Sequence, residues 1–365
     1  MTLPLPPRAF MIFAAGLGGL AVGRGAAQSP AAWRTIASLP TPRQEVGVAA
    51  LDGKVYVVAG IVASRGSVRT VERYDPLTGA WESLPDLPSA TGLNHVGAAA
   101  AGGKLYVVGG LIPNLSAGVN TTFCFDPSTG SWSRQADMPT ARGASGVAAV
   151  DGLLYVAGGS PSARHRDFAV YDPAEDRWSE LPPMPTGRDH LAAAPLDGRF
   201  VAISGRESFP SGLLAAVEAY DPTTGQWSSL PPIPTPRGGI AAAVIQRRIY
   251  VFGGEGNAAS PTGVFDNAEV YDPDQGSWSA LPPMAVPRHG IGAAALQGRV
   301  YLPGGATTQG FGVTGHADVF IPPLPSPSDV LAHLLGQSGA SAGLDLNDDG
   351  AVDTADLLWL ILETR

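Results

Sequence analysis

One cysteine in 365 residues, Cys124, excludes any disulfide within the chain, so stability has to come from packing. Charge is also scarce: 15% of residues are Asp, Glu, Lys or Arg, the formal net charge is -9, and no run of Lys or Arg occurs. Nucleic acid and anionic membrane surfaces are bound by basic stripes, so both are excluded as partners, and acidic substrates are not favoured. Long apolar runs are missing too. The nearest is Ala9 to Val22, too short and too rich in Gly and Ala to span a bilayer. With Arg8 before it and the small residues Gly25, Ala26 and Ala27 behind, it reads as an export signal over residues 1–27, cleaved after Ala27. The mature chain is therefore expected outside the cytoplasm, secreted or periplasmic, as a monomer without a membrane span.

What is plentiful is turn chemistry, with 47 Gly and 34 Pro beside 44% hydrophobic residues, a profile that favours all-β architecture with a large core. An internal period organises it. Trp33, Trp81, Trp132, Trp178, Trp227 and Trp278 recur at spacings of 46 to 51 residues. Between them lie strand-like runs ending in small residues: VYVVAG from Val55, LYVVGG from Leu105, LYVAGG from Leu154, FVAISG from Phe200, IYVFGG from Ile249 and VYLPGG from Val300. Tight-turn residues such as Asp52-Gly53, Gly102-Gly103, Asp151-Gly152 and Asp197-Gly198 stand before these runs, as a hairpin demands. Tyr74-Asp75-Pro76, Phe125-Asp126-Pro127, Tyr171-Asp172-Pro173, Tyr220-Asp221-Pro222 and Tyr271-Asp272-Pro273 then end a third strand and turn towards the next Trp.

A four-stranded unit of about 49 residues carrying Gly-Gly, a later Tyr and a Trp resembles the Kelch repeat, over residues 33 to about 321. The resemblance implies a six-bladed β-propeller, here assigned to residues 28–321. The sixth copy reaches Phe320-Ile321-Pro322-Pro323 without its Asp-Pro turn or a closing Trp, so the orphan segment from Trp33 to Leu39 is expected to complete blade six and close the ring. Pro303 lacks a ladder donor and suggests a local bulge.

In such blades the loops joining strands two to three and four to one gather at the channel mouth. Arg43, Leu93, Arg142, Arg188, Arg237 and Arg288 begin the innermost strands, and the arginines read first as repeat-specifying residues that bond neighbouring blades' carbonyls. Two residues on stand Glu45, His95, Ala144, His190, Gly239 and Gly290. Residues that break the repeat are candidates for binding: Glu45, His95, His190, Arg206, Glu207, Glu255 and Asn257, joined by Arg142 and Arg188 as forks for a sugar, a carboxylate or an extended peptide. The loops from Leu111 to Thr122 and from Glu255 to Asn267 are the longest and should form most of the rim, with sequons at Asn114 and Asn120.

Some propellers of this kind are enzymes. Galactose oxidase uses copper and a cysteine-linked tyrosine, but Cys124 falls at a core position, the six histidines are dispersed with none in a ligand pair, and no matching Tyr-His pair occurs. The sequence Gly339-Ala340-Ser341-Ala342-Gly343 fits a nucleophile elbow but sits in a linker. A sugar epimerase or mutarotase needs only a base, for which His190, His95 or Glu45 would serve; it stands as the alternative to a non-enzymatic binding or adaptor protein.

Residues 322–328 read as a proline-rich linker to a small helical tail, 329–365. There Asp345, Asn347, Asp349, Asp353 and Asp356 place side-chain oxygens at loop positions 1, 3, 5, 9 and 12, Gly350 makes the turn, and Ala351 offers its carbonyl. Ca2+ is the expected occupant. Asp356 before an apolar helix makes the tail resemble a single dockerin or EF-hand loop, which implies a cohesin-like extracellular partner and a link to polysaccharide use. Dockerins carry two such loops, and this chain shows one.

Overall fold

The computed structural model describes residues 31–161, 166–209 and 211–323, together with Val352 and Asp356. The expected export signal, most of the linker and nearly all of the tail lie outside the described residues.

Six four-stranded antiparallel sheets stand around one axis. Blade 1 runs outward from Gly47–Leu51 through Lys54–Val58 and Val71–Asp75 to Ala80–Leu84. Its second strand is buried on both faces, which is why that run is continuously apolar in every repeat. Each Asp of the Tyr-Asp-Pro or Phe-Asp-Pro triplets accepts the backbone N–H two residues on, at 2.8–3.0 Å, and so fixes the turn to the outer strand.

Blade 6 takes its outer strand from the start of the described chain. Ala32–Thr35 pairs with Ala317–Ile321, Trp33 opposite Phe320, so the ring is closed as expected. Pro303 makes no bulge: the register from Val300↔Phe320 to Pro303↔Ala317 is unbroken. What the missing N–H removes is pairing on the other side, where the inner strand is cut to Ala294–Leu296 while other inner strands keep five residues.

Three sets of hydrogen bonds join the blades. At the axis, Glu45, His95, Ala144, His190, Gly239 and Gly290 each donate a backbone N–H to the corresponding carbonyl of the preceding blade, at 2.7–3.0 Å, and the sixth bond meets the first. Further out, Gly60, Gly110, Gly159, Gly205, Gly254 and Gly305 donate to the carbonyls of Leu93, Arg142, Arg188, Arg237, Arg288 and Arg43 in the next blade, at 2.9–3.1 Å. At the periphery all six repeat tryptophans donate their indole N–H to a linker carbonyl, at 2.8–3.0 Å. The backbones approach closely: a Cβ on Gly253 would come within 2.2 Å of the Arg288 carbonyl oxygen, and its φ is +61°.

The repeat arginines work within their own blade, which corrects the expectation that they bond neighbours. Arg43 donates to the carbonyls of Val57, in its own second strand, and of Ala59, just beyond it, and pairs with Glu72 of its third; Arg237 does the same with Val251, Gly253 and Glu269. Arg188–Glu218 and Arg288–Asp318 repeat the pair at 3.0 and 2.9 Å. Blade 2 has lost both partners together: Leu93 stands at the arginine position, and Phe123 stands at the carboxylate position in the same core cluster. Cys124 is buried among Tyr106, Leu154 and Tyr171, as a core residue.

Removing one partner should leave a buried unpaired charge. Glu269→Ala is expected to cost about 3–5 kcal/mol in urea unfolding at neutral pH. The double change Arg237→Leu with Glu269→Phe, which copies blade 2, should recover more than half of that loss; equal instability of single and double variants would show that shape rather than charge is at stake.

Candidate functional site

The axial hydrogen-bond ring holds its six residues at φ between +52° and +65°. Four of them are not glycine, and each left-handed L-residue costs about 1 kcal/mol or more. In return the side chains of Glu45, His95 and His190 are aimed at one another on the channel axis. Gly290 leaves the room they use, because a Cβ there would lie 2.5 Å from Glu45 Oε1.

On the mouth side a cavity of about 360 Å³ opens above the ring, lined by Glu45, His95, Asp189, His190, Arg206, Glu255 and His289 among others. Two registers build its wall. One is the residue just before each ring position, as in Gln44, Asn94, Asp189 and His289; the other is the residue after the glycine that ends each second-strand run, as in Ile61, Leu111, Arg206 and Glu255. They face each other across short bridges, Gln44↔Ile61, Asn94↔Leu111 and Asp189↔Arg206. A wider vestibule of about 590 Å³ continues outward between Ile61, Arg65, Leu115, Phe209 and Phe311. Leu115 and Phe209 on its wall are 46% and 56% exposed, unusual among the described large apolar side chains.

Arg206 ties the floor together. Its Nε donates to Asp189 Oδ1 at 3.0 Å, its other arm pairs with Glu255, and its guanidinium lies against His190. His190 Nδ1 is 2.7 Å from Asp189 Oδ1, and His95 Nε2 is 3.2 Å from Glu45 Oε2 and 3.1 Å from His190 Nε2. Burial alone would raise the Glu45 carboxyl, but its electrostatic interactions with His95, His190, His289 and Arg206 outweigh it and hold the group at about 2. Burial lowers His95 to about 4 against the pull of Glu45, so at neutral pH Glu45 is ionised and His95 is neutral. Burial also works to raise Asp189, and its hydrogen bonds from His190 and Arg206 prevail to lower it.

Of the expected mouth residues, the fold brings Glu45, His95, His190, Arg206 and Glu255 into the cavity. Arg142 and Arg188 are not there: both are buried inside their blades, at 1% and 0% exposure, bonded to Val156 and Ala202 carbonyls. Burial lowers Arg142 to about 10, and its carboxylate partner Asp167 is 3.5 Å away. Glu207 is exposed on the rim loop, and Asn257 is spent on its own turn with Ala259 and Val264. The histidines are not dispersed in space; His95 and His190 meet although 95 residues separate them. Asp189, His289 and Gln44 were missed because attention to the arginine and the ring position skips the residue between them, and Arg188-Asp189-His190 shows that a polar triplet there is the available signal. Of the six expected calcium ligands, Asp356 alone is described, fully buried and helical; Asp345, Asn347, Asp349, Ala351 and Asp353 lie outside the described residues.

Arg206→Met should strand two buried carboxylates, Asp189 and Glu255, and cost about 3–5 kcal/mol in chemical denaturation. Glu207→Ala, one residue on, should stay within about 0.5 kcal/mol. Similar losses for both would remove Arg206 from its organising position.

Residues 31–184 match the model of the KLHDC2/KLHL20/DRC7 Kelch-repeats domain, and residues 187–234 and 236–285 each match the Kelch motif. The chain is similar to Kelch-like protein terF of Aspergillus terreus, 30% identical over 328 residues, covering 82% of this chain and 70% of that protein. It also resembles Kelch-like protein 35 of Mus musculus, at 30% identity over 35% of this chain, and beta-scruin of Limulus polyphemus, at 28% over 35%; it spans only 21% and 14% of their lengths. Among solved structures that of YjhT superposes with a TM-score of 0.65 over 77% of this chain and 96% of that one, at 18% identity, a likeness of fold alone. Repeats, ring closure and matches agree: the chain belongs to the Kelch-repeat family of β-propellers.

Proposed function

We propose that this Kelch propeller is a binding or adaptor protein that engages a protein partner at its mouth, outside the cytoplasm. The observation that carries the reading is the pairing of an exposed apolar rim, Leu115 and Phe209, with a charged floor 360 Å³ in volume. An inserted loop or chain end would bury apolar side chains against the rim and place a polar group among Arg206, Glu255 and the histidines. Kelch propellers generally bind proteins, and nothing in the family match or the relatives supports the sugar-epimerase alternative, which is not carried forward.

Export rests on the order Arg8, apolar Ala9 to Val22, and small Gly25 to Ala27. Attachment rests on the tail: four carboxylates and an amide at calcium-loop spacing suit a hard divalent cation, and a Ca2+-ordered tail would tether the propeller to a cohesin-like partner, in a setting of polysaccharide use. In that arrangement Asp345, Asn347, Asp349, Ala351, Asp353 and Asp356 hold the ion, and the propeller mouth is the second binding face.

The test is capture from the organism's own secreted fraction with the chain from Gln28 to Arg365, followed by calorimetry on each purified partner. Leu115→Asp with Phe209→Asp should weaken the mouth partner at least tenfold, about 1.4 kcal/mol, with calcium present or absent. A tail partner should be lost on chelation or Asp345→Ala and be indifferent to the rim changes. Partners that ignore the rim variants would overturn the mouth as the protein-binding face, and capture of glycans alone would replace protein with carbohydrate as the ligand.

A further inference from the structure

Three atoms able to donate a lone pair converge on the axial ring: Nε2 of His95, Nε2 of His190 and Oε2 of Glu45. His190 Nδ1 lies 2.7 Å from Asp189 Oδ1, an acceptor, so the ring proton is on Nδ1 and Nε2 carries a lone pair. His95 is set the same way by Asn94 Oδ1, and the orientation of that amide is fixed because its Nδ2 donates to Ser67 Oγ at 2.6 Å and faces the Ile112 carbonyl at 3.4 Å. The two bare Nε2 atoms are 3.1 Å apart, and Glu45 Oε2 is 3.2 Å from the first. Lone pairs and a carboxylate at such distances repel unless a proton or a metal cation lies between them.

We propose that Glu45, His95 and His190 together bind one divalent first-row transition-metal ion, of the zinc class, at the floor of the propeller mouth. All three donor atoms lie within 4.8 Å of one another, the sole such group among the described residues. With metal–ligand bonds of about 2.0–2.1 Å, two donors sit roughly 2.9 Å apart at a right angle and roughly 3.3 Å apart at a tetrahedral one, which brackets the 3.1 Å between the two imidazoles and the 3.2 Å between His95 and Glu45. Imidazole and carboxylate donors suit zinc, iron, nickel or copper rather than calcium or magnesium. Asp189 and Asn94 supply the second layer that orients each imidazole, and Asp189 is itself held by Arg206.

Arg206 does not block the site. Its Nη2 is nearly equidistant from His190 Nδ1 and Nε2, at 3.1 and 2.9 Å, which puts it over the face of the ring and leaves the in-plane lone pair free. The backbone ring fixes all three Cα positions, so the donors stay grouped at the axis. The other ring residues, Ala144, Gly239 and Gly290, offer no side-chain donor, so further coordination positions face the cavity. A metal there would give an incoming carboxylate or other oxygen donor a direct anchor, an addition to the proposed partner face that stands or falls independently of it.

The test is calorimetric titration of the full chain, stripped with chelator, with Zn2+ in excess Ca2+ so that the acidic tail is already occupied. One equivalent should bind with a sub-micromolar Kd. His95→Ala, His190→Ala and Glu45→Gln should each weaken binding more than 100-fold, and Asp189→Asn, acting through His190, by roughly 10–100-fold. Asp345→Ala should leave zinc affinity unchanged. Should an alanine variant fail to fold, X-ray absorption on the zinc-loaded wild-type chain takes its place and must show two imidazoles. Absence of stoichiometric zinc, or zinc retained by the folded His95→Ala/His190→Ala pair, would overturn the proposal and leave a proton shared among the three acceptors.

Discussion

Six backbone hydrogen bonds around the axis are the constraint from which the rest of this protein follows. Each is an ordinary N–H···O=C bond, but they form a closed cycle from Glu45 through Gly290, Gly239, His190, Ala144 and His95 back to Glu45. Every member of the cycle takes nearly the same backbone conformation, and that conformation is left-handed. Glycine is the easy solution at two positions. Glutamate, histidine and alanine occupy the others against a conformational penalty, which the surrounding blades must overcome.

Outside that cycle the molecule repeats a division of labour. Inter-blade cohesion combines backbone groups and the peripheral indoles with apolar side chains packed between neighbouring sheets, as Tyr56 and Val58 of blade 1 pack with Leu105 and Phe125 of blade 2. Within a blade, a buried arginine fastens the innermost segment to the second strand's carbonyls and the third strand's carboxylate. Blade 2 shows that the fastening can be apolar, since Leu93 and Phe123 replace both partners at once. Blade 3 shows the intermediate, where Arg142 faces Ala169 and reaches only the half-exposed Asp167. Coupled replacement is what the cost of an unpaired buried charge requires.

The frame is six-fold and the mouth is not. Symmetry forces equivalent positions in every blade to point at the same small volume, so any departure from the repeat is brought face to face with every other departure. Glu45, His95 and His190 meet in this way, as do Arg206 and Glu255 from successive blades. The rim behaves alike: loops of unequal length after the second strands bring Leu115 and Phe209 to one vestibule.

The architecture was legible in the residues because it rests on local chemistry repeated six times. Trp spacing, Gly-Gly, and Tyr-Asp-Pro each encode a strand end or a turn, and the orphan strand at Trp33 announced which blade it would complete. The site was legible only as a set of exceptions to the repeat. Five of the mouth residues were found that way, but Arg142 and Arg188 looked the same in sequence as a ligand fork and as a buried fastening, and local pattern cannot tell which way a long side chain turns. Sequence alone therefore determined the repeat, the closure and the list of irregular residues. Tertiary structure decided which irregular residues touch, that His95 and His190 form a pair with Glu45, and that Asp189 stands behind them, because those contacts depend on the angle between blades and on a ring that exists only once all six are assembled.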